Sequence, residues 1–142
     1  MMDRNEALYL LSFHSGRNPD IENPKWGQGF LASLRKYSRI DNENSFIEVM
    51  ECLKVIKEDF NKNEVRRDLM ADLYGIFYYT NLWIGEGGIL ENRLIEEERK
   101  KIDIRMKIYS YVLASLLDYS EEGWQEAIGE YEDYLLGYTN YD

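Results

Sequence analysis

The sequence has 142 residues, and this length predicts one domain over residues 1–142 with enough chain to bury a hydrophobic core. Apolar residues make up 44% of the chain and charged residues 31%, an ordinary globular balance that disfavours wholesale disorder. The 17 Lys and Arg residues against 27 Asp and Glu residues give a net charge of −10, which disfavours nucleic acid as a partner.

In chain order, the spacing of the apolar residues first predicts two helices separated by an irregular segment. A helix over 2–13 is followed by Ser15-Gly16, a typical helix stop. The segment from His14 to Trp26 contains both prolines and is predicted to be a loop of fixed shape. Asn23-Pro24, an N-cap followed by proline at the first helical position, predicts a second helix over 24–38.

The rest of the chain is predicted to form four more helices. A polar break at 41–44 precedes a third helix, and a fourth helix over 64–84 is apolar nearly all round, which predicts a central position. A glycine-rich stretch ends it, a long fifth helix follows near 91–118, and Ser120 caps a final helix that Gly137 ends. The third helix has the most regular apolar stripe, at Phe46, Val49, Leu53, Ile56 and Phe60. The predicted fold is therefore all-α, a single bundle-like domain of five or six helices.

Cysteine and histidine each occur once, which restricts the chemistry. Cys52 has no partner for an intrachain disulfide, and a cysteine-based zinc site would lack ligands. A di-iron bundle needs repeated Glu-x-x-His pairs, which His14 alone cannot supply. Glu126 and Glu130 are four residues apart and could share a divalent ion, but such pairs are common on exposed helix faces. We therefore expect no metal and no cofactor.

The apolar segments do not resemble a secretory signal, and they are too short for a membrane span. The run from Ala7 to Phe13 follows acidic residues, whereas a signal peptide begins with basic ones. The most apolar stretch, 73–84, is shorter than the about 20 residues that span a bilayer. We expect no membrane contact and a cytoplasmic location, where a single reduced cysteine is ordinary.

Nearly all of the net charge lies near the C-terminus. Residues 1–62 contain nine basic and ten acidic residues, residues 63–110 contain eight and nine, and residues 111–142 contain none and eight. The last segment also holds six tyrosines. Aromatic side chains mixed with one sign of charge are typical of protein recognition and predict a basic partner. The predicted partner-binding residues are Trp124, Glu126, Glu130, Tyr131 and Tyr134. The alternative is that the carboxylates form a solvated face and the aromatic rings belong to the core.

The loop from His14 to Trp26 is a second candidate site, for a small ligand. His14 and Asp20 could transfer protons, Arg17 could hold an anion, and Trp26 adds an aromatic side chain. No Gly-x-Ser-x-Gly motif accompanies these residues, so a hydrolase lacks support. The alternative is structural, because two Asn-Pro pairs and nearby glycines are turn chemistry that fixes the chain whatever its function.

Three short segments carry a resemblance to known proteins: Gly16-Arg17-Asn18-Pro19, the run from Trp26 to Leu31, and Leu34-Arg35-Lys36-Tyr37. In these segments the chain is similar to small uncharacterised acidic bacterial proteins of the toxin-immunity type. The resemblance includes no catalytic motif, and it implies a small acidic cytoplasmic protein that neutralises a toxin by covering it. The acidic C-terminal segment fits this expectation independently, because charge steers a basic partner.

Three functional hypotheses follow. The first is a non-enzymatic protein-binding module, an immunity or inhibitor protein that covers a basic, toxin-like partner with its acidic C-terminal face. The second is a small-molecule-binding or enzymatic helical protein that uses the loop from His14 to Trp26. The third is a homo-oligomeric structural protein in which the apolar fourth helix and the tyrosines form a homodimer seam.

Overall fold

The computed structural model describes residues 1–140, and over this range the all-α, bundle-like fold is confirmed. There are seven α-helices and one 3₁₀ turn, and the described residues contain no strand. The helices are α1 (Arg4–His14), α2 (Pro24–Gln28), α3 (Phe30–Arg35), α4 (Arg39–Val55), α5 (Arg67–Ile84), α6 (Glu96–Asp118) and α7 (Glu121–Leu135), with the 3₁₀ turn at Lys57–Phe60. The number exceeds the predicted five or six because the predicted second helix is divided in two.

The helix α4 forms the centre of the core. It packs against α1, α3 and α6, and the buried apolar residues of the chain form one cluster around it. The predicted stripe is confirmed, because all of its residues are buried and the last two continue it into the 3₁₀ turn. Each such side chain contributes about 1.5 to 3 kcal/mol when it leaves water, so this stripe is a main source of stability.

The predicted helix over 24–38 is interrupted at Gly29, where the backbone is extended with φ −64° and ψ 164°. Gly29 lies directly against α1, and a Cβ atom at this position would be 2.5 Å from the carbonyl oxygen of Phe13. The capping prediction is confirmed, because the Asn23 side chain accepts a hydrogen bond from the backbone N–H of Lys25 at 2.9 Å. The helix is divided because the backbone at Gly29 lies close to that of α1. The spacing of apolar residues in the sequence does not reveal this contact.

The predicted break at 41–44 is wrong, because α4 begins at Arg39 and includes these residues. Asn42 is buried, and its amide donates to the carbonyl oxygen of Phe30 at 3.0 Å and to Ser33 Oγ at 3.2 Å. The polar side chain that predicted an exposed turn therefore faces the core, where hydrogen bonds offset its desolvation.

The predicted central position of the fourth helix is also wrong. One face of α5 is buried against α1, α3 and α6, through residues that include Leu69, Leu73 and Ile76. The opposite face lies on the surface and carries exposed aromatic side chains. The composition of α5 is therefore apolar on both faces although only one of them reaches the core.

The long helix begins at Glu96 and not near residue 91. The residues before it form turns that place Leu90 and Leu94 in the core, and Arg99 Nη2 donates to the carbonyl oxygen of Glu91 at 2.7 Å. The end of the helix is as predicted, at Asp118.

The last helix has the predicted ends. Ser120 Oγ accepts from the backbone N–H of Gly123 at 3.0 Å, and Gly137 follows α7 with φ 79°. The chain turns between α6 and α7 at Tyr119, which has the left-handed φ of 47°. Among the described residues, every helix is too short or too polar to cross a membrane.

Candidate functional site

The first predicted loop residue, His14, is buried and has hydrogen bonds at both ring nitrogens. Its Nδ1 accepts from the backbone N–H of Phe30 at 3.0 Å, and its Nε2 lies 2.8 Å from Oε1 of Glu48. A backbone N–H group can only donate, so Nδ1 of His14 must accept. The proton of the neutral ring is therefore on Nε2, which donates it to Glu48. This bond is the main cause that lowers the pKa of Glu48. His14 thus connects α1, α3 and α4, and both nitrogens are engaged inside the protein.

Arg17 is paired within the chain. Its Nη1 donates to Oδ1 of Asp72 at 3.0 Å and to the carbonyl oxygen of Asp68 at 2.9 Å. Ser15 Oγ also donates to Oδ1 of Asp72, at 2.8 Å. Burial of the Asp72 carboxyl raises its pKa, and the bonds from Ser15 and Arg17 oppose this effect. The anion predicted for Arg17 is therefore a carboxylate of α5, and the contact fixes the loop to that helix.

The four predicted loop residues do not converge on one pocket. His14 lines a groove of about 270 Å³ together with Lys25 and Glu48. Trp26 lines a different and larger groove, and Asp20 is exposed outside both. His14 belongs to α1 and Trp26 to α2, and each side chain lines its own groove. The arrangement predicted for proton transfer, with His14 and Asp20 at one ligand, is not formed.

Two of the five residues predicted for the partner-binding face are core residues. Trp124 is 8% exposed and Tyr131 is 0% exposed, and Tyr134 is half-buried. The Tyr131 hydroxyl donates to Oε2 of Glu51 at 3.0 Å, and burial is the first cause that raises its pKa. Their spacing of three and seven residues along α7 is the spacing of an inner helix face. The rings therefore stabilise the packing of α7, as the alternative interpretation expected.

The carboxylates of the predicted face do lie on the surface. Glu126 and Glu130 are exposed one turn apart on α7, and Tyr111 of α6 donates its hydroxyl to Oε2 of Glu126 at 2.9 Å. Tyr141 and Asp142, which belong to the same acidic segment of the sequence, lie outside the described residues. What remains of the prediction is an acidic face, which we define by Glu126, Glu130 and the neighbouring carboxylates of α7.

A buried polar network that the sequence analysis missed joins four helices. Arg105 of α6 is almost fully buried, and its Nε donates to the Tyr134 hydroxyl at 2.9 Å while its Nη1 donates to Oδ1 of Asn42 at 3.2 Å. Glu98, which precedes Arg105 by seven residues on α6, is also buried. Its Oε1 lies 3.3 Å from Nη1 of Arg39. Glu98 and Arg105 are seven residues apart in register with the inner residues Ile102 and Tyr109, a spacing that could have revealed their burial. The network connects α3, α4, α6 and α7 and has a structural role.

The exposed side of α5 carries a continuous row of aromatic rings, which we call the aromatic face. The Tyr74 and Tyr78 rings are stacked with centroids 6.1 Å apart, Tyr78 meets Tyr79 edge-on at 5.1 Å, and Tyr79 lies 5.8 Å from Trp83. Tyr74, Tyr78 and Leu82 are 59%, 47% and 49% exposed. From residue 69 to residue 85 the single charged residue is Asp72, which is buried. The apolar run of this helix is visible in the sequence. Its hydrophobicity predicted a central, buried helix and not an exposed aromatic face.

A groove of about 730 Å³ adjoins the end of the aromatic face, and we call it the tryptophan groove. It lies between the α2–α3 region, the C-terminal end of α5 and the turns that follow. Its wall has three aromatic rings and three cationic side chains, from Trp26, Tyr79, Trp83, Arg35, Lys36 and Arg93. Trp26 was the predicted ligand residue that reaches it, and the other five were missed because they come from three distant segments.

A metal-ligand cluster or the single cysteine would be a possible site of chemistry among the described residues. Residues 1–140 contain no group of three or more His, Cys, Asp or Glu side chains that could hold a metal ion. Cys52 is buried, and burial together with nearby carboxylates raises the pKa of its thiol to about 12. A thiol in this state is not a nucleophile at neutral pH.

Comparison of the chain with protein-family models, with curated proteins and with solved structures found no significant match. The fold and its sites therefore define a class only: an all-α bundle whose distinctive features are surfaces, namely the aromatic face, the tryptophan groove and the acidic face.

Proposed function

We propose that this chain is a protein-binding module and that its main contact surface is the aromatic face of α5. The observation that carries the proposal is the exposure of Tyr74, Tyr78 and Leu82, one turn apart, on a face without charge. Interface centres are depleted of charged residues and enriched in aromatic ones, and tyrosine is frequent among the residues that dominate binding energy. An uncovered face of this kind is unusual on a chain in which 31% of the residues are charged.

The aromatic face is too small to form a whole interface, and the charge of the chain favours a partner other than a second copy. The 18 residues of α5 give a face about 27 Å long, and at helix width it covers about 300 Å². A stable interface buries about 800 Å² on each partner, so the partner must extend beyond α5. Two copies would each bring a charge of −10, and like charge opposes their association. The expected occupant is a different protein that presents an apolar patch.

The second candidate is the inhibitor-type function, in which the acidic face covers a basic, toxin-like partner in the cytoplasm. Its support is that Glu130 and Asp133 line one shallow groove with Tyr111 and Tyr138, so carboxylates and phenol rings are presented together. The one cation of that groove, Lys107, lies 3.2 Å from Asp103 on its own helix. A basic surface would meet a negative field there, which raises association rates.

One binding experiment separates the two candidates. The partner retained from native lysate is identified, purified and titrated against the parent chain, against Tyr74→Ser with Tyr78→Ser, and against Glu126→Lys with Glu130→Lys. For the aromatic face we expect the tyrosine pair to weaken binding by about thirtyfold, since hot-spot residues contribute about 2 kcal/mol or more. This binding should change little between low and high salt.

The matched control is Ile40→Ser, which removes an exposed apolar side chain from α4, away from α5. It should leave the affinity unchanged. If the tyrosine variant binds as the parent does, the aromatic face is not the contact surface. In that case a loss of affinity in the Glu-to-Lys variant, with a strong dependence on salt, assigns the acidic face.

Self-association has its own test. Sedimentation velocity on the purified chain should show monomer at micromolar concentration. A dimer that Tyr78→Asp dissociates would instead assign the aromatic face to a second copy of this chain.

A further inference from the structure

We propose that the tryptophan groove binds a small organic anion with a flat apolar body, such as an aromatic carboxylate or sulfonate. The groove shares Tyr79 and Trp83 with the aromatic face but is not lined by Tyr74, Tyr78 or Leu82, and its test does not require the protein partner proposed above. The inference rests on the composition of the groove wall and on its two arginines, which have no ion pair among the described residues.

The charges of the groove are opposite to those of the chain. Its lining includes Arg35, Lys36 and Arg93 and no carboxylate among the described residues, although the chain as a whole carries −10. Among the described residues Arg35 and Arg93 have no ion pair, and Lys36 has a long one, with its Nζ 4.0 Å from Oδ2 of Asp41. Three cations gathered around one concave surface that no described carboxylate lines favour an anion there.

The apolar part of the groove lining suits a flat apolar group. The buried side chain of Leu31 and the rings of Trp26, Tyr79 and Trp83 belong to this lining. The indole Nε1 of Trp26 is buried and has no acceptor among the described residues. A buried donor left unpaired by the chain's own packing is found where a ligand or an ordered water completes a site. Apolar walls with a few convergent polar groups are the usual composition of a ligand pocket.

Two probes with the same ring system test the proposal. 1-Anilinonaphthalene-8-sulfonate carries one negative charge, and N-phenyl-1-naphthylamine is its uncharged counterpart. We expect the sulfonate to bind with one molecule per chain and to quench tryptophan fluorescence, and the uncharged probe to bind about tenfold more weakly. Raising the salt concentration should reduce this difference, because it screens exposed charges.

Neutralising variants locate the site. Arg35→Gln and Arg93→Gln should each weaken sulfonate binding by about twofold to fivefold, the range for partly exposed charge contacts, and leave the uncharged probe unaffected. The matched controls are Lys107→Gln, a cation on α6 outside the groove, and Tyr78→Ser, on the aromatic face beyond the groove. Both should bind the sulfonate as the parent does.

Three results would overturn the proposal. The first is equal affinity for the two probes, because the cations would then contribute nothing. The second is an effect of Lys107→Gln as large as that of Arg35→Gln, because net charge and not the groove would then decide. The third is a loss of sulfonate binding in Tyr78→Ser, which would place the probe on the aromatic face.

Discussion

Substituting Gly29 by alanine tests how much the close contact between α1 and the α2–α3 junction contributes to the stability of the fold. A Cβ atom at residue 29 would lie 2.5 Å from the carbonyl oxygen of Phe13 and 3.2 Å from the Cα atom of His14. These are backbone atoms, so no side-chain rotation can relieve the overlap, and the junction must move away from α1. Overpacking of this kind costs about 1 to 3 kcal/mol.

The same movement affects a buried hydrogen bond. Phe30, the next residue, donates its N–H to Nδ1 of His14 at 3.0 Å. Loss of this bond adds about 1 kcal/mol. We therefore expect Gly29→Ala to reduce the free energy of unfolding by about 2 to 4 kcal/mol, a large part of the about 5 to 15 kcal/mol typical of a domain.

Urea denaturation followed by circular dichroism measures this change, and the chain provides a matched control two residues earlier. A Cβ atom at Gly27 would meet only Lys36 Nζ at 3.9 Å, and this glycine lies within α2. Gly27→Ala should therefore be neutral or stabilising by up to about 1 kcal/mol through helix propensity. If the two variants differ by less than about 0.5 kcal/mol, within the usual scatter of neutral surface substitutions, the packing argument at Gly29 is refuted.

Two further predictions concern buried titratable groups. Because burial raises the pKa of Asp72 above its ordinary 3.8, the folded state keeps this proton to a higher pH than the unfolded state does, and the associated stability is lost as the pH rises through the folded pKa. Asp72→Asn should therefore gain stability relative to the parent as the pH rises from below 3.8 towards neutral in urea titrations; a loss of relative stability over this rise would mean that the bond from Arg17 outweighs burial. Cys52, with the pKa of its thiol raised to about 12, should react with a disulfide reagent at pH 8 only as fast as the chain opens, and rapid labelling of the folded protein would contradict its burial.

The features of the fold that follow from local rules were predictable. The apolar stripe of α4 and the 3₁₀ turn repeats every three or four residues, and the caps at Asn23 and Ser120 depend on residues two or three positions away; all three are confirmed. The interruption at Gly29 depends on the carbonyl group of Phe13, sixteen residues earlier, and no local spacing contains it. The polar run at 41–44 failed for the same reason, since the partners of Asn42 lie in α3 and α6.

The candidate sites were less predictable because the identity of a hydrophobic or aromatic residue does not indicate whether its side chain faces the core or the solvent. Tyr131 and Tyr78 are chemically identical, yet one is in the core and the other is 47% exposed. The difference lies in what surrounds each helix. The α7 ring packs towards α4 and the Glu51 carboxylate, whereas the described residues leave Tyr74, Tyr78 and Leu82 of α5 about half exposed. Only a structure distinguishes these two positions.

The net charge of the chain and the composition of its individual surfaces indicate different properties of a partner. The charge of −10 acts over a distance of about one Debye length, about 8 Å at physiological salt, and governs the rate at which a charged protein approaches. The proposed contact surface, the aromatic face, is uncharged and concerns short-range packing with a partner. A basic partner inferred from the sum of charges and an apolar patch inferred from the aromatic face therefore do not contradict each other. Salt dependence of the association rate reports the first effect, and the dissociation rates of the surface variants report the second.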